Sequence, residues 1–288
     1  MRTALLATLV LLTTSACSSE DLPRLGWPSG VVDETQRSLF LWQTMWVAAF
    51  IIGGLTLVLI LWPAVFHRRS RMGEVPVQTR YNVPLEVLYT FVPVVIILVI
   101  FGYTARDTAE ITKLRDDPDN VVNVVGFRWN WAFNYVDDQA YDIGTPEQEA
   151  TLWLPVGERT RFELTSPDVI HSFWVPNFLY KQDMIPGRTN MVDLTPNQVG
   201  EYRGRCAELC GVDHARMLFN VKVVERAEYD AHVAELKARG QEGLIETDRV
   251  SGAADGRQGR TEIGQDQTGG SSRLNEDTSD QISEGTEQ

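Results

Sequence analysis

The chain has 288 residues, of which 43% are hydrophobic, and a formal net charge of −13. That length admits one large domain or two small ones. The charge argues against nucleic acid as a partner and favours a basic one, although part of the excess lies in the C-terminal tail.

The first 17 residues, MRTALLATLVLLTTSAC, read as a secretory signal: Arg2, a short apolar run, then small residues. The ending Thr-Ser-Ala-Cys is similar to a bacterial lipobox, which makes Cys17 a candidate for lipidation. Thr14 stands where a lipobox usually has leucine, so a plain cleaved signal or a retained helix stays open. Residues 18–37 form a short polar lead. Two apolar blocks follow, Leu39 to Phe66 and Val83 to Tyr103. Each is long enough to cross a hydrocarbon core of about 30 Å as a helix. Between them lie His67, Arg68, Arg69, Arg71 and Arg80, and positive loops stay cytoplasmic. Residues 38–106 therefore read as a two-helix transmembrane hairpin in the cell membrane, and everything beyond as extracytoplasmic.

From about Asn120 the period changes to that of strands. In VGFRWNWAFNY, Val125, Phe127, Trp129, Trp131, Phe133 and Tyr135 alternate with polar or small residues and are expected on one face. Thr160, Phe162 and Leu164 repeat the pattern, as do Phe219, Val221 and Val223. Turn residues at Pro155-Val156-Gly157, Pro186-Gly187 and Pro196 to Gly200 punctuate it. These features predict a β-sandwich or small barrel over 120–225. The expected fold class is a membrane-anchored α+β protein, with this all-β unit and a loosely packed C-terminal helix filling 107–240. Residues 241–288 are rich in Gly, Ser, Gln and Asp and are expected to be a disordered acidic tail.

The chemistry concentrates in CAELCGVDHARM, residues 206–217. Cys206 and Cys210 on a tight loop can converge on one point, which His214 and Met217 can reach from other sides. His171, in SPDVIHSFWVP, is the obvious distant donor. Thiolate, imidazole and thioether are soft or borderline donors that suit copper better than magnesium or calcium. A structural zinc site, a disulfide, or Met217 as plain core remain alternatives, though zinc has little use for Met217. His67 and His232 read as surface residues.

CAELCGVDHARM, SPDVIHSFWVP and KQDMIPGRTN resemble subunit II of cytochrome c oxidase. GFRWNWAFNY and LEVLYTFVPVVIIL resemble the same family in the same order, so the likeness runs from about 35 to 225. It implies a cupredoxin-like β-domain holding a dinuclear copper centre, CuA. On that likeness Cys206 and Cys210 bridge the coppers, His171 and His214 take one each, Met217 gives a weak thioether and Glu208 its backbone carbonyl. The Glu208 side chain would bind a magnesium or manganese ion shared with subunit I. Trp129 would be the portal for electrons from cytochrome c, or from a cytochrome c domain of a partner complex. Glu86 would mark the entrance of a proton channel in subunit I. Subunits I and III and the membrane are the implied partners, with oxygen reduction in subunit I.

Where the family often has Gly-His-Gln-Trp-Tyr-Trp this chain has Gly-Phe-Arg-Trp-Asn-Trp, so Arg128 alters the charge beside the portal. Asp168, and less so Asp183, Asp137 and Asp138, are candidates for docking the cytochrome. A quinol-oxidase subunit would lack the copper ligands. A membrane-anchored copper-delivery lipoprotein is the rival of a different class, and it would need neither Trp129 nor Glu86.

Overall fold

A computed structural model describes residues 22–68, 78–145 and 147–245. The signal sequence with Cys17, Arg69 and Arg71 of the basic loop, and the tail from 246 lie outside the described residues.

Two long helices come first, α1 (Gln36–Phe66) and α2 (Val83–Ile111). Their best windows have mean hydropathies of 2.3 and 2.5, and no residue of either window is buried by the described residues. At about 1.5 Å per residue each exceeds a hydrocarbon core of about 30 Å. A helix apolar all round suits an apolar surround such as lipid. Helix α2 runs eight residues past Tyr103, because Thr104 to Ile111 contains no helix breaker. Its start is closed reciprocally: the Asn82 side chain accepts from the Leu85 N–H (3.4 Å), and the Glu86 carboxylate accepts from the Asn82 N–H (3.0 Å). At the opposite ends of the helices, Arg37 of α1 lies 3.9 Å from the buried carboxylate of Asp107 in α2.

The rest is a sandwich of two five-stranded sheets. The strands are β1 (Asn120–Phe127), β2 (Asn130–Tyr135), β3 (Ala140–Ile143), β4 (Thr151–Pro155), β5 (Thr160–Thr165), β6 (His171–Val175), β7 (Tyr180–Met184), β8 (Asn190–Leu194), β9 (Gly200–Cys206) and β10 (Leu218–Val224). Their order is β3-β2-β1-β5-β8 in one sheet and β4-β10-β9-β6-β7 in the other. Phe162 and Leu164 from one sheet, and Phe219, Val221 and Val223 from the other, are fully buried between them, as their alternation predicts. Trp131, Phe133, Phe173 and Phe219 form an edge-to-face and stacked aromatic centre.

The aromatic stretch 125–135 departs from expectation. It is not one strand but a hairpin, with β1 ending at Phe127, β2 starting at Asn130, and Arg128-Trp129 as the turn. The register pairs Val124 with Phe133 and Gly126 with Trp131. Odd-numbered residues before the turn therefore face the side taken by even-numbered ones after it. Val125 and Phe127 join Ala132 in a small second cluster, while Trp131, Phe133 and Tyr135 enter the main core.

Four further expectations are corrected. The lead is not merely polar: Val31 and Val32 are buried in the sandwich core. Val31 donates to the Asn177 carbonyl, its own carbonyl accepts from Asn197, and Glu34 accepts from the backbone and hydroxyl of Thr195. The C-terminal helix, α3 (Arg226–Ala238), is not loosely packed: Tyr229, His232, Val233 and Leu236 are buried. His232 is thus no surface residue but lies 4.1 Å from Trp153 in a stack tilted by 12°, since an amphipathic helix over a sheet must bury one stripe. Finally, residues 241–245 are bound rather than tail. Glu242 bridges to Ala140, Asn134 exchanges hydrogen bonds with the Ile245 backbone, and Ile245 covers the second cluster.

Candidate metal centre

The loop 207–217 joins β9 to β10, so Cys206 ends one strand and Met217 directly precedes the other. Cys206 N–H donates to the Met217 carbonyl (3.0 Å), which also accepts from the Trp131 indole (3.3 Å). This closes the neck of the loop and aims both sulfurs inward. His171 opens β6, the next strand after β9 in the sheet, and His214 starts a single 3-10 turn.

The side chains converge. The Cys206 and Cys210 sulfurs are 3.8 Å apart, against about 2.05 Å for a disulfide, and both are free thiols. His171 Nδ1 lies 3.9 Å from Cys206 Sγ, and His214 Nδ1 lies 3.5 Å from Cys210 Sγ. Met217 Sδ is 3.7 Å from Cys210 Sγ, and the Glu208 carbonyl 3.2 Å from Cys206 Sγ. Every donor type singled out in the sequence is therefore present around the sulfur pair, with Cys206, Cys210, His171 and Met217 buried. Glu208 itself is exposed.

Electrostatics favour a cation here. Burial opposes ionisation of Cys206, but the hydrogen bond from His171 and backbone N–H groups overcome it and lower its pKa. Burial and the neighbouring Cys206 sulfur push Cys210 up. Two buried thiols cannot both ionise unless positive charge sits between them. The soft donor set and its convergence, thioether included, fit copper ions better than a structural zinc.

Asp168 holds the site from behind. Its carboxylate accepts from His171 Nε2 (2.9 Å), the Val169 N–H (2.6 Å) and the Arg128 N–H (2.8 Å), with the Arg128 guanidinium 3.4 Å away. Burial opposes the charge, yet these bonds bring its pKa down to about 2. With its side chain 3% exposed and its oxygens engaged, Asp168 offers an incoming protein little, contrary to the docking expectation. Asp137 and Asp138 are engaged as well, with the Val121 N–H and the Tyr229 hydroxyl. They sit at the far end of β2, roughly 20 Å from Trp129 by strand rise. Asp183 is exposed on β7.

Trp129, at the hairpin tip, donates from its indole to the Cys210 carbonyl (3.1 Å). It lies against Gly211, whose φ of +124° suits glycine and where a Cβ would meet the indole at 2.9 Å. Gly126 and Gly211 were not singled out in the sequence. A glycine within a strand pattern marks close backbone approach, and Gly126 carried that signal. Glu86 is remote from the loop, at the start of α2.

Two membrane-length helices followed by a β-sandwich with a soft-donor loop define a class of membrane-anchored metalloprotein. The family model for "Cytochrome C oxidase subunit II, periplasmic domain" matches residues 120–224. A Streptomyces coelicolor protein described as a probable cytochrome c oxidase subunit 2 is 49% identical over 281 residues, covering 84% of this chain and 88% of that one. A Streptomyces avermitilis protein of the same description is 48% identical with the same coverage. A crystal structure of the periplasmic domain of cytochrome oxidase subunit II from Bradyrhizobium japonicum is 30% identical, with a TM-score of 0.41. It covers 44% of this chain and 99% of that one. The chain belongs to the cytochrome c oxidase subunit II family. Its sandwich corresponds to that family's cupredoxin-like periplasmic domain.

Proposed function

We propose that this chain is the electron-accepting subunit of a haem-copper oxidase. It takes electrons from cytochrome c, or a cytochrome c domain of a partner complex, and passes them to haem in subunit I, where oxygen is reduced to water and protons are translocated. The observation that carries this reading is the convergence of two buried, unbridged thiols with two imidazoles, a thioether and a carbonyl. Cys206, Cys210, His171, His214, Met217 and the Glu208 carbonyl would together hold the metal centre. When bound, a dinuclear copper centre would supply reversible one-electron chemistry with the charge spread over both ions.

The chain's own residues prepare the site. Asp168 grips His171 Nε2 and so holds the ring with Nδ1 turned towards the Cys206 sulfur. Trp131 and Phe173 belong to the packed core beneath the sulfurs and keep water out. Trp129 offers an aromatic path from the surface to the Cys210 backbone. The exposed Glu208 carboxylate would hold a magnesium or manganese ion shared with subunit I. Glu86 would stand at a proton-channel mouth in subunit I, while its carboxylate also closes the end of α2. Helices α1 and α2 would anchor the chain against subunits I and III, with the short connection cytoplasmic and the sandwich outside.

The test is copper content and electron paramagnetic resonance of the purified chain. Two coppers per chain with one unpaired electron shared between them is expected. A single, exchangeable copper would favour the copper-delivery reading, and zinc alone would end both.

A further inference from the structure

Met184 is fully buried and is the cross-strand partner of His171 in the β6–β7 pair. Directly opposed residues of antiparallel strands project to one face with Cβ atoms about 4.5–5.5 Å apart. Both side chains here point at Gly126 of the other sheet. A Cβ on Gly126 would lie 3.3 Å from His171 Cβ, from Met184 Cε and from Met184 Sδ alike. Ordinary carbon contacts optimise at about 3.5–4.0 Å, so no methyl fits there without displacing one of the three atoms. A bare stretch of β1, an unbranched thioether and the carbon that carries the imidazole thus meet at one point.

The two restraints on His171 differ in kind. Asp168 grips the far ring nitrogen and so sets the plane of the ring. It does not fix the position of the carbon from which the ring hangs. Gly126 and Met184 close on that carbon and limit how far the start of β6 can shift there. Branched side chains would crowd this gap, whereas methionine adapts to irregular space.

We propose that Met184, seated under Gly126, is a positioning residue for His171, fixing how far Nδ1 reaches towards Cys206 and thereby the affinity and spectrum of the metal centre. This rests on the copper reading of the site.

The experiment uses the full-length chain in detergent, as wild type, M184A, M184L, G126A and the double variant G126A/M184A. Each is loaded with copper and examined by electron paramagnetic resonance, by copper retention against a chelator, and by thermal melting. M184A and G126A are expected to shift the nitrogen and copper hyperfine couplings and to weaken retention about tenfold, as changes around a ligand commonly do. The double variant should return towards wild type, because the added methyl takes room that the thioether vacates. M184L conserves volume and keeps the fold, and should shift the couplings less than M184A does. Wild-type couplings and retention in all three single variants, with only the melting temperature lowered, would show a merely structural role and overturn the proposal. The metal-free chain separates this from failure of the copper reading. The imidazole proton resonances of His171 should move in M184A without any metal, and unmoved resonances sink the positioning role whatever the chain binds.

Discussion

The helices and the sandwich both carry many large apolar side chains, and they treat them in opposite ways. In α1 no residue is buried, and in α2 only Asp107 is. In the sandwich, Trp131, Phe133, Phe162, Phe173 and Phe219 are at most 1% exposed. The sandwich supplies its own apolar environment, whereas the helices take theirs from outside the chain. A metal site needs ligands held by packing, so it belongs in the sandwich. The helices suit attachment.

The sharpest test of that contrast is Trp131→Ala. It removes a fully buried indole, together with its hydrogen bond to the Met217 carbonyl, and should cost about 3–5 kcal/mol of sandwich stability. Denaturant unfolding followed by far-ultraviolet circular dichroism measures it, and a cost under about 1 kcal/mol would break the contrast.

His232 gives the next effect. Burial, and then the nearby Arg239, lower its pKa from 6.5 to about 4, while Glu235 opposes and Lys222 assists. A depressed folded pKa means that its contribution is fully present above about pH 6.5 and lost as pH falls through 4. The loss approaches about 3 kcal/mol. His232→Phe keeps a ring on Trp153 and removes a buried Nε2 that has no hydrogen-bond partner among the described residues. Stability measured from pH 7 to 4 should therefore fall less steeply in His232→Phe than in the wild type.

Trp129→Phe should cost less, under about 1.5 kcal/mol, because the tip is half-buried and most of the apolar volume remains. Copper content should survive while stopped-flow reduction by the native cytochrome slows at least about tenfold. Wild-type rates would make Trp129 structural. The smallest effect belongs to the helices. Leu59→Ala in α1, at a side chain 64% exposed, should change sandwich stability by less than about 0.5 kcal/mol in the same unfolding measurement.

Much of this was legible in the sequence, and the exceptions have physical causes. Strands β5 and β10 announce themselves because one face is buried and the other is not, which writes a period of two. The hairpin 120–135 hides because a two-residue turn preserves the alternation in the sequence while reversing which side it denotes. The ligands were readable, since Cys206, Cys210, His214 and Met217 lie in one loop of unusual chemistry. The role of Asp168 was not, because a carboxylate that orients an imidazole looks, in sequence, like one that faces solvent. Val31 and Val32 were missed because two apolar residues in a polar lead carry no period at all.

The attachment of the sandwich to its helices has a mechanical consequence. The chain reaches the sandwich from α1 through the lead, which binds Thr195 and Asn197. It reaches it again from α2 through Arg115, whose N–H donates to Asp193 (2.8 Å), itself gripped by Arg161. Both moorings use β8 and the turn just after it, and the lead binds Asn177 beyond β6 as well. A body held by one tether swivels, whereas one held by two neighbouring tethers resists rotation about either. On the proposed function, such a restraint would keep donor and acceptor gaps steady from one turnover to the next, because electron tunnelling falls off steeply with distance.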